Sequence, residues 1–156
     1  MKISTREACE IAVMSAVVFI ATFVPKIPIP LGYAHLGDAA IFLVILKFGR
    51  RAGILSAVIG SALADLIGGF AIWILPTILI KSVMAEIFYR LDKVHFIMAL
   101  SVSCLWMAIG YTIFGAILYG SLEVGLTSLP GLLIEGLVNL AATIFISFSA
   151  WKFFKR

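Results

Sequence analysis

Apolar runs broken by prolines, glycines and clustered charges repeat along the whole of this chain. The first covers about 8–24 and stops at Pro25-Lys26-Ile27-Pro28-Ile29-Pro30; the second covers about 36–48, between Asp38 and Gly49-Arg50-Arg51. A third covers about 52–71 and closes near Gly68-Gly69; a fourth covers about 75–91, opened by Pro76, which suits a first helical turn. The fifth covers about 94–119, up to Gly120, and the sixth about 128–151, behind Ser128 and Pro130. Membrane β-strands alternate apolar and polar residues over about ten positions. These runs are apolar on all sides and mostly longer, so helices are the remaining way to satisfy backbone groups in lipid. The pattern predicts an all-α membrane protein with six transmembrane helices, residues 1–156 forming one six-helix domain. Runs two and four are short for a full crossing.

Composition strengthens this reading. Of 156 residues, 63% are hydrophobic and 13% charged, against roughly a quarter charged in ordinary soluble domains. The mean hydropathy is +1.16. Too few polar groups exist to cover a globule, and a bilayer removes the need for them. Lys2 and Arg6 followed by the run Ile11–Val24 imitate a signal peptide, but the run ends in Pro25, Lys26 and Pro28 instead of a small-residue cleavage site. It is read as a retained first helix. Cys9 and Cys104 have neither metal spacing nor an exposed loop and are read as small packing residues. No metal site or cofactor is expected. No phosphate-binding glycine loop and no nucleophile elbow occurs, so the chain is not read as an enzyme, and any ATPase must be another chain.

The basic residues set the orientation. In a six-span arrangement Lys2, Arg6, Lys47, Arg50, Arg51, Arg90, Lys93, Lys152, Lys155 and Arg156 fall on one side, ten of the twelve in the chain. Lys26 stands alone on the other, and Lys81 lies inside a span. The positive-inside rule then places both termini in the cytoplasm. The net charge of +4 is a topology signal, and no nucleic-acid partner is expected.

Ionisable groups within the bilayer are costly and tend to mark function. Asp38, Asp65, Lys81 and Glu135 come from four spans yet share the outer third of the bundle, with Asn139 as a neutral companion. Glu86 lies toward the cytoplasmic half, where Arg90 at i+4 offers a structural partner. Tyr33 and His35 stand in the loop before Asp38, Trp73 in the next outer turn, and Tyr111 and Tyr119 in the outer half of span five. Aromatic walls with a few fixed polar groups suit a small flat heterocycle. The competing reading is an internal salt bridge, Lys81 with Asp65 or Glu135, that only fixes packing. Trp151 reads as an interfacial anchor. Two faces of small residues permit close helix approach in lipid. Ala8, Ala12 and Ala16 form one on span one. Gly53, Ala57, Gly60 and Ala64 form the other on span three, read as packing inside the chain.

Four stretches carry a family resemblance: His35-Leu36-Gly37-Asp38-Ala39-Ala40-Ile41-Phe42; Phe48-Gly49-Arg50-Arg51-Ala52-Gly53; Gly60-Ser61-Ala62-Leu63-Ala64-Asp65-Leu66-Ile67-Gly68-Gly69; and Pro76-Thr77-Ile78-Leu79-Ile80-Lys81. Together they resemble the substrate-binding S components of energy-coupling factor (ECF) vitamin transporters. The nearest likeness is to the hydroxymethylpyrimidine or pyridoxine branch, related to riboflavin-type S components. The resemblance implies a multi-pass subunit of the bacterial cell membrane that captures a small heterocyclic vitamin from outside. Its implied partners are a transmembrane T subunit and two cytoplasmic ATPases, and it topples to deliver its cargo. It implies docking through an Ala-x-x-x-Ala face, matched by Ala12 and Ala16. By position it implies a pocket at Tyr33, His35, Lys81, Tyr111, Glu135 and Asn139, to which Asp38 and Trp73 are added from the outward cluster. The alternatives are a stand-alone ion-coupled carrier, with Asp65, Lys81 and Glu135 relaying protons, or a structural membrane subunit.

Overall fold

A computed structural model describes residues 4–29 and 31–150. Lys2, Pro30, Trp151, Lys152, Lys155 and Arg156 lie outside the described residues. α1 (Thr5–Phe23) is capped by Ser4, whose side chain accepts the Glu7 N–H, and it gives way before Pro25. α2 (Gly37–Phe48) and α3 (Arg50–Gly68) meet at Gly49, whose φ of 83° is one that glycine adopts readily. α3 closes with left-handed Gly69, and Phe70 N–H donates back to the Asp65 carbonyl at 2.8 Å. A 3-10 turn at Ala71–Trp73 leads into α4 (Ile74–Leu91), followed by α5 (Phe96–Tyr119) and α6 (Leu122–Ser149).

Two features depart from the sequence expectation. Between α1 and α2 the chain forms a small antiparallel hairpin, β1 (Ile27–Ile29) with β2 (Gly32–Ala34), pairing Pro28 with Tyr33. Three-residue strands are too short to show alternation, and Pro28 is tolerated because β1 is an edge. The second departure is the start of α6. It begins behind the N-cap Ser121, whose side chain accepts Val124 N–H, so Pro130 lies inside the helix. Pro130 has no N–H to give the Leu126 carbonyl, and in the turn before it the Thr127 and Ser128 hydroxyls donate to the Val124 and Gly125 carbonyls.

Small residues let the helices close up. A Cβ at Gly60 of α3 would come within 2.7 Å of the Ser15 carbonyl oxygen on α1, and one at Gly125 of α6 within 2.6 Å of the Thr112 carbonyl oxygen on α5. Gly53, Ala57, Gly60 and Ala64 are all buried, so this face is consumed inside the chain. α1 turns Ile11, Ser15, Val18 and Thr22 inward, while Ala8, Ala12 and Ala16 stay exposed. The central core gathers Val18, Ile41, Phe42, Met84, Phe88, Leu100 and Met107.

Among the described residues, four helical stretches are long and apolar enough to cross a membrane: Arg50–Gly68, Ala71–Leu91, Phe96–Tyr119 and Leu122–Ser149. α1 carries Arg6, Glu7 and Glu10 in its opening turns, and α2 has 12 residues. The basic junctions gather at one end of the bundle. There Arg51 meets Glu7 at 3.3 Å, and Glu86 takes both Arg50 and Arg90 at 2.6 Å. The hairpin and the aromatic turns occupy the other end.

Candidate functional site

The buried charges are arranged in layers. Lowest lies an ion pair between Lys81 of α4 and Asp38 of α2, 1% and 0% exposed at the side chain. Asp38 sits in the first turn of α2, where the positive end of the helix dipole favours a carboxylate. Lys81 also stands 5.3 Å from the centre of the Tyr111 ring. The internal salt bridge weighed from sequence thus exists, but with Asp38 in place of Asp65 or Glu135. The α1–α2 connection brings Asp38 beneath the hairpin, a long-range placement that sequence spacing does not reveal.

Asn139 of α6 is fully buried and spent on backbone. Its side-chain oxygen accepts Ala39 N–H at 2.8 Å, and its amide donates to the carbonyls of His35 at 2.7 Å and Glu135 at 2.9 Å. It ties the start of α2 and the end of the hairpin to α6.

Above this layer His35 and Glu135 meet. His35 Nδ1 accepts Gly37 N–H at 3.1 Å and also faces Glu135 Oε1 at 3.0 Å. The single lone pair of Nδ1 is taken by Gly37 N–H, so Glu135 Oε1 receives no hydrogen bond from His35 and has no hydrogen-bond partner among the described residues. Burial, with Lys81 and Lys26 adding to it against the opposing pull of Asp38, pushes the His35 imidazole down to about 4. Its unfolded value is about 6.5, so the unfolded chain binds the extra proton between pH 6.5 and 4. Stability from neutral His35 is therefore complete above pH 6.5 and is lost as the pH falls toward 4, by at most on the order of 3 kcal/mol. Melting curves of wild type and His35→Gln across that window are expected to diverge, with the variant flatter; parallel curves would refute the assignment.

The top layer is aromatic. Tyr33 packs against Phe70 with centroids 5.3 Å apart, and Trp73 against Tyr111 at 5.7 Å. Trp73 Nε1–H donates to the Tyr119 hydroxyl at 3.4 Å, and Tyr111 O–H donates to Thr77 Oγ1 at 3.1 Å. Thr77 in turn hydrogen-bonds the Asp65 carboxylate. Burial raises the Tyr33 phenol above its ordinary value and keeps it neutral.

Between these layers lies a cavity of about 60 Å³, which Tyr33, His35, Trp73, Tyr111 and Glu135 all line. Asp38, Lys81 and Asn139, expected beside them, do not line it; they sit behind its floor. The lining that sequence reasoning missed is Ile29, Leu31, Phe70, Ser128 and Leu132, with Asp65, which had been weighed without being assigned to the site. Phe70 could have been found as a second aromatic in the turn that carries Trp73. Leu31 could not: it reaches the wall from the hairpin tip in a left-handed conformation, φ 65°, unusual for a residue with a side chain.

Residues 2–150 match the family model described as "ECF-type riboflavin transporter, S component". The chain belongs to this S component family. Over 116 residues it is 34% identical to a Pyrococcus woesei protein described as "Uncharacterized protein in gap 3'region", covering 73% of this chain and 67% of that one. It also shares its fold with the structure titled "Structure and mechanism of the S component of a bacterial ECF transporter": TM-score 0.78 and 24% identity, over 97% of this chain and 98% of the other. The S component is a multi-pass membrane protein and a transport subunit, not an enzyme. Its family is defined by substrate binding, so the polar, aromatic-walled cavity between the hairpin and α6 is its candidate binding site.

Proposed function

We propose that this S component captures a small, flat heterocyclic vitamin or vitamin precursor at the hairpin end. It passes the ligand inward together with a transmembrane T subunit and two cytoplasmic ATPases. In this reading all six helices cross the cell membrane and both termini are cytoplasmic, which places the hairpin end outside. The observation that carries the reading is the single cavity wall shared by four aromatic rings and two carboxyl groups, with Ile29, Leu31 and Tyr33 of the β1–β2 hairpin lining one side. Known small-molecule pockets measure roughly 300–1,000 Å³, so a ligand must widen the 60 Å³ present here, and in this reading it does so at the hairpin. Ile29 of β1 rests on Gly131 of α6, where a Cβ would come within 2.8 Å of it; that apolar contact is the simplest one to break. A compact single ring of the hydroxymethylpyrimidine or pyridoxine kind requires the least opening, and riboflavin requires more.

The exposed Ala8, Ala12 and Ala16 face of α1 suits close contact with the T subunit. Two measurements test the proposal. Mass spectrometry of the purified protein is expected to find a bound vitamin-like heterocycle. Affinity purification is expected to recover a T subunit and two ATPases, and Ala12→Trp to reduce that recovery at least tenfold while leaving ligand binding intact. Proton-driven uptake by the chain alone in liposomes would replace this reading with an ion-coupled carrier.

A further inference from the structure

The hydrogen-bond groups of the cavity are unbalanced, and the imbalance specifies a ligand chemistry. Donors in the wall are largely spent: Trp73 N–H on Tyr119, Tyr111 O–H on Thr77, and Ser128 O–H on the Gly125 carbonyl at 2.8 Å. The acceptors are not. Asp65 Oδ2 and Glu135 Oε1 are buried without a hydrogen-bond partner, as is the Tyr33 hydroxyl, which can act either way. Asp65 is 9% exposed and Glu135 3%, and both line the cavity. Among the described residues no Lys or Arg lines it. Lys81 is committed to Asp38, and Lys26 lies over the Phe23 and Tyr33 rings, 3.9 and 4.5 Å from their centres. His35, with Nδ1 accepting from Gly37, adds no positive charge while neutral. Buried acceptors without partners are costly, and a carboxylate gains most from a charged or strongly polarised N–H donor.

We propose that the ligand is a nitrogen heterocycle carrying an amino or protonated nitrogen, held by Asp65 and Glu135 between the Tyr33–Phe70 and Trp73–Tyr111 ring pairs. The site thereby rejects analogues with a hydroxyl or carbonyl at that position. The inference rests on the capture reading above and narrows its substrate class. A flavin, which presents mostly carbonyl and imine acceptors to its surroundings, would leave the two carboxyl groups unmatched.

Matched ligand pairs test it on the full chain in lipid nanodiscs at pH 7 by titration calorimetry. Pyridoxamine is compared with pyridoxine, 4-amino-5-hydroxymethyl-2-methylpyrimidine with its 4-hydroxy analogue, and riboflavin serves as the third probe. Amino forms are expected to bind at least about tenfold tighter than their hydroxyl partners. Glu135→Gln or Asp65→Asn is expected to bring that ratio close to one. A folding defect in either variant would weaken both members of a pair equally, so the ratio reports recognition alone. Hydroxyl forms or riboflavin binding as tightly as the amino forms would overturn the inference and leave vitamin capture standing. If no probe binds, riboflavin included, the capture reading falls and the inference with it.

Discussion

Lys81→Ala is expected to destabilise the protein by about 3–5 kcal/mol, the usual cost of stripping one partner from a buried ion pair. Asp38 is completely buried, its Oδ2 already lacks a partner, and the lysine is its counter-charge. Removing the ammonium leaves a carboxylate with no water to turn to. The double variant Lys81→Met with Asp38→Leu removes both charges and keeps the volume, and such replacements are often neutral or stabilising. It is therefore expected to recover most of the loss. Thermal melting in detergent with a tryptophan readout checks both. A single variant as stable as wild type, or a double variant worse than the single one, would mean that the pair does not hold α2 to α4. The family resemblance implied a place for Lys81 in the ligand pocket itself. The structure routes the effect through the fold, so affinity measured well below the melting point should fall less than stability does.

Asn139→Leu is expected to be the second most damaging change, at about 2–4 kcal/mol, since each buried polar group left unpaired costs about 1–3 kcal/mol. The leucine fills similar space but orphans Ala39 N–H and the His35 carbonyl, both bound by Asn139. The His35 end of the hairpin would then lose its tie to α6, and ligand affinity should drop together with the melting temperature. Asn139→Asp keeps the acceptor for Ala39 and loses the donor, so it should disturb the His35 side more than the start of α2. Hydrogen exchange at Ala39 distinguishes the two: fast in Asn139→Leu, protected in Asn139→Asp. Equal protection in both would show that the side chain is not the tie.

How much of this was legible beforehand differs by element. The long helices were, because an apolar run on all sides leaves the backbone no other way to close its hydrogen bonds in lipid. The start of α6 was misplaced because Pro130 reads as a helix opener, whereas Ser121, a weaker-looking signal, is the actual cap. The hairpin escaped because three-residue strands built around Pro28 carry no periodicity. Among site residues, Glu135 was picked out as a charge buried in the outer third, and Tyr33, His35, Trp73 and Tyr111 as aromatic or imidazole groups at the same end; all five line one cavity. Asp38, Lys81 and Asn139 carried the same signal and lie behind it, because an intrusion shows that a group is buried without showing what it faces.

The sequence by itself determined that this chain is helical, lives in a bilayer, and collects its buried charge at one end, since hydropathy and charge spacing are properties of the linear chain. Pairing is not such a property. Only the tertiary structure decided that Lys81 answers Asp38, which spends its charge below the cavity, and that Asp65 and Glu135 keep carboxyl oxygens unmatched at its wall. A buried charge is neutralised by whichever opposite group the helix packing brings within a few ångströms, and Asp38 of α2 and Lys81 of α4 lie 43 positions apart in sequence.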